Sequence, residues 1–255
     1  MSKPEPPRGP DAERIREQAA MRAPLPKRFY KDVTSKPQDN GSWAVLLDGR
    51  AVKTPGKRQL ALPSEKLAEA VAEEWRAQKT VIDPGTMPLT RIANTAIEAV
   101  VDQMDDVAAD IVAFAGSDLL CYRAAGPEAL AARQSAAWDP IIAWASSDLG
   151  ARFVLAQGMM PIEQPIQALE RIAEAVRPLD AFQLSGLHVA TTLTGSALLA
   201  LAVHKGRLTA AEAWAAAHVD EDYQIEQWGP DEEAADRRAY RWQEMQAAAL
   251  MLGNK

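Results

Sequence analysis

The chain has 255 residues, a formal net charge of −7 and a single cysteine, Cys121. A chain of this length can bury a sizeable core, as one large or two small domains. Its composition, 47% hydrophobic and 25% charged, is ordinary for a soluble globular protein. The negative charge argues against binding to nucleic acid or anionic lipid, because both attract basic patches. One cysteine excludes a disulfide framework, so we expect a reducing compartment.

Residues 1–26 are rich in Pro, Arg and Glu, and we expect a disordered or loosely attached arm. The segment has no apolar signal core and contains four acidic residues, which a mitochondrial presequence usually avoids. A cytoplasmic location is therefore expected. The most apolar window, 187–203, is short and carries several hydroxyl groups. We expect a buried helix there and no integral membrane segment.

Residues 27–85 predict a small β-rich domain with one covering helix. The patterns favour strands at 28–33, 43–47, 50–54 and 59–63, and Asp48-Gly49 is the dipeptide that a type I′ hairpin turn requires. Ser64 is suited to cap a helix that runs to about residue 79. Leu67, Val71 and Trp75 would form its apolar face against the sheet.

Residues 86–255 predict a larger helical domain. We expect helices at 89–100, 102–115, 127–138, 140 onward, 165–176, 180–204, 209–228 and 231–252, with a short extended piece at 153–157. Asp139-Pro140 is expected to interrupt its helix, with Asp139 as the new N-cap. The predicted fold is α+β, mostly α: a small antiparallel sheet domain followed by a multihelical orthogonal bundle.

The predicted helix at 209–228 contains a carboxylate in an unusual place. Thr209 and Glu212 have the spacing of a capping box, and Gly229-Pro230 is a stop signal. On a wheel of about 100° per residue, Glu221 falls at the centre of an apolar stripe that includes Trp214 and Trp228. Burial of a lone carboxylate is unfavourable. Its partner is either an arginine of this chain, such as Arg237, Arg238 or Arg91, or a group on another protein.

Motifs for catalysis are absent from the sequence. There is no phosphate-binding glycine loop, no HExxH, no CxxC and no GxSxG. His218, Asp222 and Glu226 stand at i, i+4 and i+8, which suits either a solvated face or a divalent metal site. The alternatives are therefore a metal-dependent hydrolase that uses these three residues, or a protein that works by binding. We assign no catalytic residue, metal or cofactor.

Five segments in register resemble one family: WAVLLDGRAVKTP (43–55), EWRAQKTVIDPGTMPLTRIANTAIE (74–98), DLLCYRA (118–124), WDPIIAW (138–144) and DEDYQIEQWGPDEEA (220–234). They are similar to the chaperone family that assembles the α subunit of the F-type ATP synthase catalytic head. The resemblance covers about residues 27–245. It implies a non-enzymatic protein that binds the free α subunit and shields its β-facing interface, built from a small β-rich domain and a larger helical domain.

The resemblance also implies a binding surface. The family's important acidic residue lies in a segment that matches Asp220-Glu221-Asp222-Tyr223-Gln224 here, and Glu221 is the best match. The surface we expect uses apolar anchors and charges that fix the register; its members are Glu221, Asp220, Asp222, Tyr223, Gln224, Glu226, Trp228, Asp231, Arg91, Asn94 and Trp75. Arg91 and Asn94 would either link the two domains or line the same groove. We expect a monomeric, bacterial member, the alternative being an interaction module with a different client.

Overall fold

The computed structural model describes residues 24–158 and 160–253. The fold is mostly helical, with a small antiparallel sheet near the N-terminus, so the predicted α+β class is confirmed. The predicted arm lies, as far as residue 23, outside the described residues. Within the described ranges, no helix combines the length and the apolar character needed to cross a membrane.

The sheet is organised around β2 (Trp43–Leu47). It pairs antiparallel with β1 (Val33–Pro37) along its full length, and with the two-residue strands β3 (Arg50–Ala51) and β4 (Ala61–Leu62). Asp48 and Gly49 join β2 to β3 with φ values of 48° and 80°. Positive φ at both positions is what a type I′ turn requires, so the predicted hairpin is confirmed.

The first predicted strand, 28–33, is wrong. Only Val33 belongs to β1, and the residues before it run past the end of the covering helix. The Arg28 backbone N–H donates to the Thr80 carbonyl at 3.0 Å, and the Tyr30 hydroxyl donates to the Trp75 carbonyl at 2.7 Å. Carbonyls in the last turn of a helix lack partners within the helix, and the Tyr30 hydroxyl supplies a donor to one of them, that of Trp75. Thr80 lies beyond the end of the helix, so its bond to Arg28 fixes the chain that follows it.

The covering helix is α1 (Glu65–Ala77), and its predicted cap is confirmed. The Ser64 hydroxyl accepts the Leu67 backbone N–H at 3.3 Å. The residues that α1 buries against the sheet lie on one face of the helix; they are Leu67, Ala68, Val71 and Ala72. Trp75, on the same face, is half-buried and packs against the core.

Nine further helices follow in the described residues: α2 (Pro88–Glu98), α3 (Met104–Gly116), α4 (Glu128–Asp148), α5 (Ile166–Val176), α6 (Ala181–Thr194), α7 (Ala197–His204), α8 (Ala210–Ala217), α9 (Val219–Trp228) and α10 (Glu232–Met251). Two short strands, β5 (Tyr122–Arg123) and β6 (Ala156–Gln157), pair in parallel. Helix α7 is buried from Ala197 to Val203, and α6 packs against α2, α3, α7 and α10. The buried core runs from the sheet into these helices; the domain boundary near residue 85 stays a prediction.

The expected interruption at Asp139-Pro140 is wrong, because α4 continues through Pro140. Proline removes one helical hydrogen bond and costs roughly 3 kcal/mol in a helix interior. Trp138, Ile141 and Trp144 are buried on both sides of it, and burial of such side chains offsets that cost. Asp139 caps nothing; its carboxylate pairs with Arg123 at 2.8 Å.

The predicted helix at 180–204 is two helices. Gly195 ends α6 with φ +68°, a left-handed conformation that glycine adopts without strain. Ser196 then caps α7, since its hydroxyl accepts the Leu199 backbone N–H at 3.0 Å. The predicted helix at 209–228 is also divided, at His218, between α8 and α9.

Candidate functional site

The division at His218 follows from its side chain. Its ring Nδ1 lies 2.7 Å from the Trp214 carbonyl, and a carbonyl can only accept, so Nδ1 carries the proton. The ring thus takes the acceptor that the backbone N–H of His218 would use in an α-helix, and that N–H bonds to the Ala215 carbonyl instead. The ring also contacts the Trp214 ring, with centroids 4.0 Å apart and the planes tilted by 43°. The capping box of Thr209 and Glu212 is confirmed at the start of α8.

A groove of about 630 Å³ lies between α9 and α10. Its floor contains Trp214 and Trp242, whose rings are 5.6 Å apart. Helix α9 supplies Glu221, Gln224, Ile225 and Trp228 to one wall, and the opposite wall comes from α10. Trp228 is 80% exposed, so this large apolar side chain has not been buried by folding.

Two of the neighbouring carboxylates are satisfied within the chain. Asp220 accepts a hydrogen bond of 2.7 Å from the amide nitrogen of Gln134, whose side-chain oxygen in turn accepts the Ala124 backbone N–H. Asp222 forms an ion pair with Arg238 of α10, and this pairing raises the pKa of Arg238. Both carboxylates therefore hold α9 against its neighbours.

Glu226 and Tyr223 face α4. Arg133 binds both oxygens of Glu226, at 2.8 and 2.6 Å, and its guanidinium lies 5.3 Å from the centre of the Tyr223 ring. The hydrogen bonds from Arg133 lower the pKa of Glu226. The metal-site alternative finds no support, because no cluster of three or more potential metal ligands occurs in the described residues. Asp222 and Glu226 instead form ion pairs with arginines. Nδ1 of His218 donates to a backbone carbonyl.

Glu221 differs from the three other acidic residues of α9. The wheel placed it at the centre of an apolar stripe, and the structure brings it to the groove lining with Trp214, Ile225 and Trp228. Helix α9 has no buried residue and the Glu221 side chain is 40% exposed, so the carboxylate faces outward. Across the described ranges, no arginine lies within 4.0 Å of its carboxylate. Arg238 pairs with Asp222 and Arg91 with Glu244.

The nearest basic group to Glu221 is His218, whose Nε2 is 3.7 Å from Oε2. Burial lowers the pKa of His218 below its ordinary value. With the proton on Nδ1, the neutral ring presents a lone pair at Nε2 toward Glu221. His218 therefore donates no hydrogen bond to Glu221, and the carboxylate lies on the groove wall without a donor from this ring.

Asp231 and Gln224 also line the groove. Asp231 is the N-cap of α10, because its carboxylate accepts the Ala234 backbone N–H at 2.7 Å. One oxygen of the Asp231 carboxylate is thus engaged in capping the helix. Gln224 is exposed on α9.

The remaining predicted site residues lie outside this groove. Arg91 of α2 pairs with Glu244 at 2.7 Å and contacts the Tyr240 hydroxyl at 3.2 Å, so it joins α2 to the far side of α10. Asn94 is half-buried, one turn further along α2. Trp75 packs at the end of α1 against Tyr30, with ring centroids 5.8 Å apart.

Sequence reasoning missed the residues that position α9. Arg133 and Gln134 lie about ninety positions before their partners, with sequence separations of 93 and 86. No local pattern links them to the acidic segment. Trp242 was likewise not singled out, although its spacing on α10 places it on the groove face. Arg238 was considered only as a partner of Glu221.

Comparison with known proteins identifies the family. The profile described as ATP12 chaperone protein matches residues 27–146. The mitochondrial protein atp12 of Schizosaccharomyces pombe is 27% identical over 83% of this chain and 78% of its own length. These matches span both the sheet and the helical part of the chain.

Solved structures agree. A putative chaperone from Agrobacterium tumefaciens is 49% identical, with a TM-score of 0.87, over 94% of this chain and 90% of its own. Atp12 from Paracoccus denitrificans is 46% identical, with a TM-score of 0.82, over 89% of this chain and 97% of its own. A mutant of that protein, in which lysine replaces an aspartate, has the same TM-score. The chain belongs to the ATP12 chaperone protein family.

Proposed function

We propose that this protein is an assembly chaperone for the F-type ATP synthase catalytic head, and that its client is the free α subunit. It binds the surface that the β subunit later covers and keeps that surface from aggregating. It performs no chemical reaction and uses no cofactor. In a bacterium this work takes place in the cytoplasm. Membership of the ATP12 family supports the proposal, as does the resemblance of the five sequence segments.

The groove between α9 and α10 carries the proposal. Exposed apolar surface next to polar groups marks a binding site, and tryptophan is a frequent anchor at interfaces. Trp228 at 80% exposure and the Trp214–Trp242 floor provide that apolar surface. An apolar segment of the client fits such a groove in the manner of a helix in a hydrophobic groove.

The charge of Glu221 indicates that the client segment carries a complementary positive charge. Because Asp220, Asp222 and Glu226 are held by groups of this chain, Glu221 is the carboxylate of α9 that remains available to a partner. A cationic side chain on the client, lysine or arginine, would complement it. Complementary charges fix register and suppress wrong partners more than they add affinity.

Co-purification with the α subunit of the cognate ATP synthase tests the proposal. The unmodified chain should retain the α subunit, and Glu221→Lys should lose it, because a lysine there repels the client cation. Glu163→Lys is the matched control, since Glu163 is exposed on the loop before α5. Both variants should unfold at the same temperature as the parent.

Two outcomes would contradict the proposal. Retention of the α subunit by folded Glu221→Lys would remove Glu221 from the site. Failure of the parent chain to retain it would remove the client, and mass spectrometry of what the chain does retain would then identify an interaction module with a different partner.

A further inference from the structure

Helix α9 is attached to the protein differently from the helices on either side of it. None of its ten residues is buried, whereas α8 buries Trp214 and two alanines, and α10 is buried from Met245 onward at most positions. The main packing partner of α9 is α4. A helix of this length is marginal in water without tertiary support, so its position depends on the contacts it makes.

Val219 packs against the hydrophobic core and Asp220 reaches the buried side chain of Gln134, but the ion pairs of α9 lie near the surface. Glu226 pairs with Arg133, and the two side chains are 52% and 44% exposed. Asp222 pairs with Arg238 across to α10, and Asp220 accepts from Gln134. Exposed ion pairs contribute little to stability because solvent and salt screen them. The attachment of α9 is therefore weak compared with that of the buried helices.

Both ends of α9 are formed by residues outside helical geometry. His218 has φ −111° and ψ 18°. Gly229 has φ +87°, and no atom lies within 4 Å of the position that a Cβ would occupy there. Positive φ and open space permit a rotation at Gly229 that other residues would resist.

We infer that α9 is a movable wall of the groove. It detaches from α4 as a unit about His218 and Gly229, which we call the opening, and it is held in place by the segment that enters the groove, which we call the closing. Ile225 and Trp228 line the groove from α9 over the Trp214–Trp242 floor, so the movement widens or narrows the apolar surface offered to a partner. The opening is a property of the free chain. The closing rests on the proposed function.

Hydrogen exchange of the full chain, followed by mass spectrometry, tests the opening. Amides of 222–228 should exchange faster than those of α8 and of the buried half of α10. Arg133→Ala should raise exchange in 219–228 roughly two- to fivefold, the effect of losing one exposed ion pair, and leave other helices unchanged. Arg171→Ala is the matched control, since it removes an exposed ion pair with Glu174 inside α5.

Two results would overturn the opening. One is protection of α9 equal to that of α8 and the buried half of α10. The other is a uniform rise across the chain in Arg133→Ala, because α9 would then open only when the whole protein unfolds.

The closing is tested on the complex with the purified α subunit. Protection of 219–228 should increase on binding, and a formed complex with unchanged protection there would overturn the closing. If no complex forms, the proposed client is wrong, and the proposed closing is then wrong as well. The opening, measured on the free chain, is decided independently.

Discussion

Glu74 of α1 caps the start of α2 through Thr90. One oxygen of its carboxylate accepts the Thr90 backbone N–H at 2.8 Å and the Thr90 hydroxyl at 2.7 Å, and the other accepts the Leu89 N–H at 2.7 Å. Helix α2 begins with Pro88 and has no side-chain cap of its own. A residue of the preceding helix thus satisfies amide groups that would otherwise lack acceptors. Segment 74–98 is one of the five that resemble the family, and its Glu74 stabilises the fold here by joining α1 to α2.

Replacing Glu74 with alanine should lower the free energy of unfolding by about 1.5–3 kcal/mol, because half-buried amide donors lose a charged acceptor. Denaturant titration measures this. Glu73→Ala is the control, since Glu73 pairs with Arg76 on the surface and its side chain is 69% exposed. It should cost less than about 1 kcal/mol. Equal losses in the two variants would show that the cap is unimportant.

Asp118 should make stability depend on pH. It is fully buried, and burial raises its pKa to about 6 from the ordinary value of 3.8. The folded state then holds the proton more tightly than the unfolded state, so this group's contribution to stability is greatest below pH 4 and is lost as pH rises through 6. The loss is on the order of 3 kcal/mol.

Comparison with Asp118→Asn isolates that contribution. The carboxylate accepts the Leu120 and Leu198 backbone N–H groups on different oxygens. A protonated carboxyl keeps acceptor capacity on both oxygens, whereas the amide nitrogen of asparagine can only donate, so Asp118→Asn should be less stable than the parent at acidic pH. The gap between the two unfolding free energies should narrow between pH 4 and pH 6. A constant gap would exclude titration of Asp118 in this range.

Gly186→Ala should destabilise the contact between α6 and α10. A Cβ at this position would lie 2.7 Å from the Met251 Cβ and 2.9 Å from the Ala248 carbonyl oxygen. Overpacking of this kind costs about 1–3 kcal/mol, which calorimetry would register as a lower Tm. Gly116→Ala, at the end of α3 with nothing within 4 Å, should be neutral or slightly stabilising. Similar Tm values for the two variants would contradict the close packing.

Trp228→Ala should weaken client binding by about 2 kcal/mol or more, the range of interface anchors, with the Tm unchanged because the side chain is largely exposed. Titration of the α subunit with the purified variant measures the loss. Phe29→Ala removes another exposed aromatic residue, 75% accessible, beside Tyr30. Its binding should match that of the parent chain. Equal affinity of the two variants would remove Trp228 from the interface.

Some features followed from the sequence because their causes lie within a few residues. The Asp48-Gly49 turn, the Ser64 cap and the Thr209–Glu212 capping box depend on local backbone geometry and are present as predicted. The mostly helical class followed from periodicity. The boundaries at Gly195 and His218 were also marked by local residues, but the apolar periodicity across them predicted single helices.

The site required the tertiary structure. Arg133 and Gln134 contact α9 although more than eighty residues separate them from it in the chain. Arg238 pairs with Asp222, so Glu221 has no arginine within 4.0 Å in the described part of the chain. By itself the sequence determined the mostly helical class, the Asp48-Gly49 turn and an acidic segment between tryptophans. Only the packing decided which carboxylate stays available, because charge pairing depends on distances in space between residues far apart in the chain.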